Sequence, residues 1–192
     1  MKSIFGIFLA VVLTGAAFAQ DSSEIKDRRE NQQDRIANGV ASGQLTAGET
    51  ARLETQESNL NKEIAKDRAA NGGNLTNNEK RQINTQQNKL SKEIYNDKHN
   101  TATQRYGNNE VDQRRENQQD RIANGIQSGQ LTAGETAKLE SQESNINKEV
   151  RADRQANGGK LTNGQKAQVN RQLNRESARI YNKKHNAASG PH

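Results

Sequence analysis

Apolar positions are sparse along this chain and fall at helical intervals. Between residues 24 and 104 only twelve apolar residues are larger than alanine: Ile25, Ile36, Val40, Leu45, Leu53, Leu60, Ile64, Leu75, Ile83, Leu90, Ile94 and Tyr95. Leu53, Leu60 and Ile64 recur at the period of a helix face, with Glu57 interrupting the stripe, and Ile83, Leu90 and Ile94 form a second such face. The whole pattern then returns. Residues 24–104, opening EIKDRRENQQDRIANG, reappear at 110–190 as EVDQRRENQQDRIANG, at a constant offset of 86 without gaps. About two thirds of the aligned positions are identical, so the fold is reasoned about per copy. In the second copy Leu90 becomes Glu176 while Gln87 becomes Leu173, one turn away on the same face. Constant apolar content on that face is what a packed helix requires.

Polar punctuation divides each copy into three helices. Leu-Thr-x-x-Glu/Gln occurs four times, at Leu45-Thr46 with Glu49, Leu75-Thr76 with Glu79, Leu131-Thr132 with Glu135, and Leu161-Thr162 with Gln165. A threonine followed three residues later by Glu or Gln forms a capping box. The hydroxyl serves one orphan amide and the acid or amide reaches back to another. Each box follows glycines suited to ending the previous helix. The spacing predicts an all-α protein: two homologous three-helix units in tandem, with helices over 24–38, 46–70, 76–103, 110–124, 132–156 and 162–187. Ser58-Asn59-Leu60-Asn61 is poor helix material and predicts a kink in the second helix. Residues 105–109, centred on Tyr106-Gly107-Asn108-Asn109, are the expected joint between the units.

Twelve apolar side chains make a thin core for about eighty residues to be ordered around. A unit of this composition is expected to be elongated. Otherwise it is completed by its sister unit or by a partner, including another copy of the chain in a homo-oligomer. Composition alone would also admit a disordered chain; the kept stripes and caps argue against that.

The first nineteen residues read as a signal peptide. Lys2 precedes an apolar run over residues 4–13, and Ala17-Phe18-Ala19 supplies a small-x-small cleavage pattern after Ala19. That run is too short for a comfortable membrane span, and no second one follows. Without cysteine, the chain is neither a lipoprotein nor a disulfide scaffold. The periplasm or the extracellular medium is the expected compartment.

Charge separates the copies. The first carries 13 basic and 12 acidic residues and the second 14 and 10, within a chain of net charge +6. The excess gathers on the last helix, where Arg171, Arg175, Arg179 and Lys183 recur every fourth residue; their counterparts are Thr85, Lys89, Glu93 and Asp97. Four like charges at this spacing mildly destabilise a helix. They are candidates for docking a polyanion, such as a phosphorylated envelope glycan, or an acidic protein client. No aromatic residues interleave them, which argues against nucleic acid.

An enzyme is not expected. There is no cysteine nucleophile, no serine lies in a His–acid pattern, and the Gly-Val-Ala-Ser-Gly stretch lacks the Lys-Ser/Thr of a phosphate loop. The acidic residues read as solvated helix faces, as in Glu63 with Lys66, and twelve apolar residues offer little to build a desolvated carboxylate cleft. No cofactor is implied. His99 and His185 each follow a tyrosine (Tyr95, Tyr181) by four residues, predicting a Tyr–His stack at a helix end.

Two motif resemblances bear on function. Gly43, Leu45 and Glu49 are similar to the second half of an EF-hand loop, which makes Glu49, Glu79 and Glu135 candidate metal ligands. The first half of such a loop would need carboxylates at Asn38, Val40 and Ser42, or at Arg68, Ala70 and Gly72, and has none. Leu161-Thr162-Asn163-Gly164-Gln165-Lys166 resembles the signature of the periplasmic Spy and CpxP family, which implies an ATP-independent chaperone or an envelope-stress role. The methionine-rich character of that family is missing, since Met1 is the chain's one methionine. The RIANG…SGQLTAGETARLE and IYxxKHN phrases resemble repeats of uncharacterised secreted bacterial proteins, which implies no activity. The expected function is a non-enzymatic binding or scaffold protein, with a divergent EF-hand-like calcium binder as the alternative.

Overall fold

The computed structural model describes the backbone of residues 15–188 and the side chains of residues 23–188. Most of the segment read as a signal peptide lies outside those residues. Among the described residues six helices follow one another: α1 (Gly15–Ala41), α2 (Ala47–Ala70), α3 (Asn77–Lys98), α4 (Glu110–Gln127), α5 (Ala133–Ala156) and α6 (Asn163–Lys184). No strand occurs among the described residues. The fold is all-α.

Capping explains most of the helix starts. Thr46, Thr76, Thr132 and Thr162 each complete a capping box, with Glu49, Glu79, Glu135 and Gln165 reaching back to the cap amide. Asn109 caps α4 by accepting from the Asp112 amide. Two helices end earlier than the apolar pattern predicts. The ring Nδ1 of His99 lies 2.7 Å from the Tyr95 carbonyl oxygen, and that of His185 the same distance from the Tyr181 carbonyl. The next residue then turns away: Asn100 Nδ2 donates to Glu49 Oε1 and Asn186 Nδ2 to Glu135 Oε1, each at 2.6 Å. The IYxxKHN phrase is thus a helix stop that ties the third helix of a copy to the start of its second.

The largest core draws on both copies. Ile36, Val40, Leu45, Leu53 and Ile94 are buried together with their counterparts Ile122, Ile126, Leu131, Leu139 and Ile180. A smaller cluster remains within each copy, around Ile64 and Ile83 in one and around Val150 and Val169 in the other. The thin core of each copy is therefore completed by its sister. α2 and α5 form the most extensive helix pair, and their contacts are reciprocal. A Cβ on Gly48 would lie 3.2 Å from Ser144 Oγ, and one on Gly134 3.0 Å from Ser58 Oγ. Each pair is the other shifted by the repeat offset. As the α2 position advances the α5 position recedes, so the helices run antiparallel about a pseudo-twofold axis.

Ser58-Asn59-Leu60-Asn61 does not interrupt α2, which continues unbroken through it. The small Ser58 allows the close approach to α5, Leu60 is buried, and Asn61 Oδ1 accepts from Arg29 Nη1 at 3.3 Å. Tertiary contacts override the weak local propensity.

Candidate functional site

Buried polar groups, more than apolar ones, distinguish this interior. Glu54, Glu57, Glu140, Glu143 and Glu176 are all buried. The expectation that the acidic residues lie on solvated faces is corrected for these five and for the ion-paired Asp112 and Glu135, which are buried as well. The first four occupy equivalent positions in α2 and α5; Glu176 stands where the first copy has Leu90. Glu54 Oε2 accepts from Gln33 Nε2 and Glu140 Oε2 from Gln119 Nε2, both at 3.1 Å. The other oxygen of each, and both carboxyl oxygens of Glu57 and Glu143, have no hydrogen-bond partner.

Burial without a paired cation disfavours the charged form. It pushes Glu54 up to about 8 and Glu140, which also senses Glu54 and Glu176, up to about 8. Glu57 rises to about 7, with Arg29 opposing the effect of burial. Glu143 is held well above the usual carboxylate range by burial and by Glu140. In the sequence Glu57 and Glu176 fall on apolar helix faces, while Glu54, Glu140 and Glu143 carry no such mark.

The two copies differ where an arginine meets these acids. Arg115 is buried, donating from Nη1 to Asp112 Oδ1 at 2.8 Å and from Nε to Asn147 Oδ1 at 2.8 Å. Burial opposes the charge on Asp112, yet Arg154 and Asn109 hold its carboxyl below the usual range. In the first copy Lys26 replaces Asp112, and Arg29, the counterpart of Arg115, keeps a buried Nε without a partner.

The sequence-derived candidates are surface or capping residues. Glu49 Oε2 accepts from the Thr46 amide, Glu79 Oε2 from the Thr76 amide and Glu135 Oε2 from the Thr132 amide. Asn100, Asn71 and Asn186 donate to the same three carboxylates. These oxygens face N–H donors, which is the work of a cap. Among the described residues no three His, Asp or Glu side chains converge into a metal-sized group. His99 and His185 stack on Tyr95 and Tyr181, with ring centroids 4.2 and 4.1 Å apart.

The basic stripe lies along α6 with Arg171, Arg175 and Arg179 exposed and Lys183 half-buried. Arg179 pairs with the buried Glu176 at 3.0 Å, and Lys183 with Glu135 at 3.4 Å. Arg171 and Arg175 form no ion pair among the described residues. In the first copy the corresponding face closes on itself, because Arg52 of α2 bridges Glu93 and Asp97 of α3. The second copy has Lys138, Arg179 and Lys183 at those three positions. A groove between α5 and α6 beside the stripe is lined by Gln142, Asn145, Gln172, Arg175 and Arg179, with the carboxylates of Glu149 and Glu176 at its wall.

No protein-family model, curated protein or solved structure matches the chain.

Proposed function

We propose that this chain is a non-enzymatic binding or scaffold protein of the periplasm or extracellular medium, whose α5–α6 face docks an anionic partner. One observation carries the reading: the Arg52–Glu93–Asp97 clamp of the first copy is replaced by three cations in the second. Arg179 and Lys183 are taken up by Glu176 and Glu135, whereas Lys138, Arg171 and Arg175 form no ion pair among the described residues. The repulsion between Arg171 and Arg175, four residues apart, is a standing cost, relieved when a polyanion or an acidic client segment lies along them. The Spy-like reading, an ATP-independent chaperone, is the version in which the partner is an unfolded acidic client.

Heparin chromatography tests the face. Lys138→Glu, Arg171→Glu and Arg175→Glu together should abolish retention at moderate salt while leaving the helical signal intact. Arg179 is left in place because it pairs with buried Glu176. Unchanged retention refutes the proposed face. Suppression of aggregation of several denatured clients, without ATP and near stoichiometric ratio, tests the chaperone version separately.

A further inference from the structure

The second copy clamps a carboxylate between two arginines. Arg115 Nη1 donates to Asp112 Oδ1 at 2.8 Å, and Arg154 Nη2 donates to Asp112 Oδ2 at 2.9 Å. Asn109 Nδ2 donates to the same Oδ2. Asp112 is buried, so its charge answers both guanidiniums where water does little to screen them.

Shifted back by 86 residues, the positions of Asn109, Asp112, Arg115 and Arg154 are Ser23, Lys26, Arg29 and Arg68. All four line one pocket of about 420 Å³ in the first copy, together with the buried Ile25 and Ile64. Both arginines are kept, but a third cation stands where the second copy has the acid between them. Lys26 pairs with Glu30 at 3.2 Å, one turn along α1. Arg29 and Arg68 form no ion pair among the described residues. The buried Arg29 Nε has no hydrogen-bond partner, and Arg29 Nη1 donates to the neutral Asn61 Oδ1 at 3.3 Å. Burial lowers the Arg29 pKa and Arg68 adds to the effect, against the opposing pull of Glu57 and Glu30. Neither oxygen of Glu57 accepts a hydrogen bond from it.

We propose that this pocket binds a small apolar monocarboxylate, its carboxyl group lying between Arg29 and Arg68 as the Asp112 carboxyl lies between Arg115 and Arg154. The second copy identifies the ligand class. A planar carboxylate offers one oxygen to each guanidinium, the match that arginine makes best. Lys26 adds attraction for the anion where Asp112 would repel it. Ile25 and Ile64 give an alkyl body of a few carbons apolar surface to cover. Every described residue lining the pocket belongs to the first copy, so this site stands or falls apart from the α5–α6 face.

Titrating the full chain with pentanoate, followed by amide chemical shifts, tests the assignment against pentanamide and inorganic phosphate. Pentanoate should give saturable shifts at Lys26, Arg29, Arg68 and Gly73. Pentanamide keeps the alkyl body without the charge and phosphate the charge without the body; each should bind about tenfold more weakly or worse. Lys26→Asp rebuilds the clamp of the second copy. It should raise the melting temperature while weakening pentanoate about tenfold or more, so that lost binding is not lost folding. Absent shifts, equal affinity for pentanamide or phosphate, or unchanged pentanoate binding in Lys26→Asp overturns the proposal. A lowered melting temperature in that variant also overturns it, because the two clamps would then not be equivalent.

Discussion

Glu54 and Glu140 occupy the same position in the two copies, both fully buried, with Glu54 close enough to help push up the Glu140 pKa. A repeat joined through its polar positions places like groups together near the axis. The consequence is an interior that favours protons.

That interior makes stability depend on pH in an unusual direction. The ordinary glutamate value is 4.5; burial raises Glu57 to about 7 and Glu54 and Glu140 to about 8. Between those limits the folded state binds more protons than the unfolded state, so stability falls as pH rises. The contribution is complete below about pH 4.5 and is lost through pH 7 to 8. Urea melts at pH 5.5 and 8.5 should differ by a few kcal/mol in favour of acid, and Glu54→Gln with Glu140→Gln should flatten the dependence. Equal stability at the two pH values would mean these carboxyls are ionised and solvated.

Gly39 and Gly125 lie inside α1 and α4, where alanine would ordinarily stabilise a helix by about 1 kcal/mol. A Cβ at either position would sit 2.6 Å from a methyl carbon of buried Leu45 or Leu131. Gly39→Ala and Gly125→Ala are therefore expected to destabilise by about 1–3 kcal/mol, against helix propensity. Thermal melts check the sign, and a raised melting temperature would contradict the packing.

Helix type and the starts of α2, α3, α5 and α6 were legible because the four threonine boxes are local devices that work wherever they stand. The Tyr95–His99 and Tyr181–His185 stacks were legible from i+4 spacing alone. The buried glutamates were not. Glu57 looked like an interruption only while its helix was treated as one-sided, whereas α2 is covered by α3 on one side and by α5 on another. Whether the copies join was likewise out of reach, because Leu53 and Leu139 each read as ordinary stripe residues. Their shared core appears only once α2 and α5 are laid antiparallel. The basic stripe was visible as a charge pattern, but its meaning came from Arg52, whose bridge to Glu93 and Asp97 needs tertiary structure to see.

A shared core predicts shared unfolding. Leu53→Ala removes a fully buried side chain of the first copy and should cost about 2–5 kcal/mol. The loss should appear as one transition, with amides of α4 and α5 losing hydrogen-exchange protection alongside those of α2. Two separated transitions, with the second copy unaffected, would contradict the common core.

Binding of an anionic partner on the α5–α6 face is checked by amide chemical-shift mapping during a polyphosphate titration. Shifts should concentrate around Lys138, Arg171 and Arg175, weaken as salt screens the charges and be absent from the clamped face around Glu93 and Asp97. Shifts spread evenly over both copies, or none at low ionic strength, would contradict it.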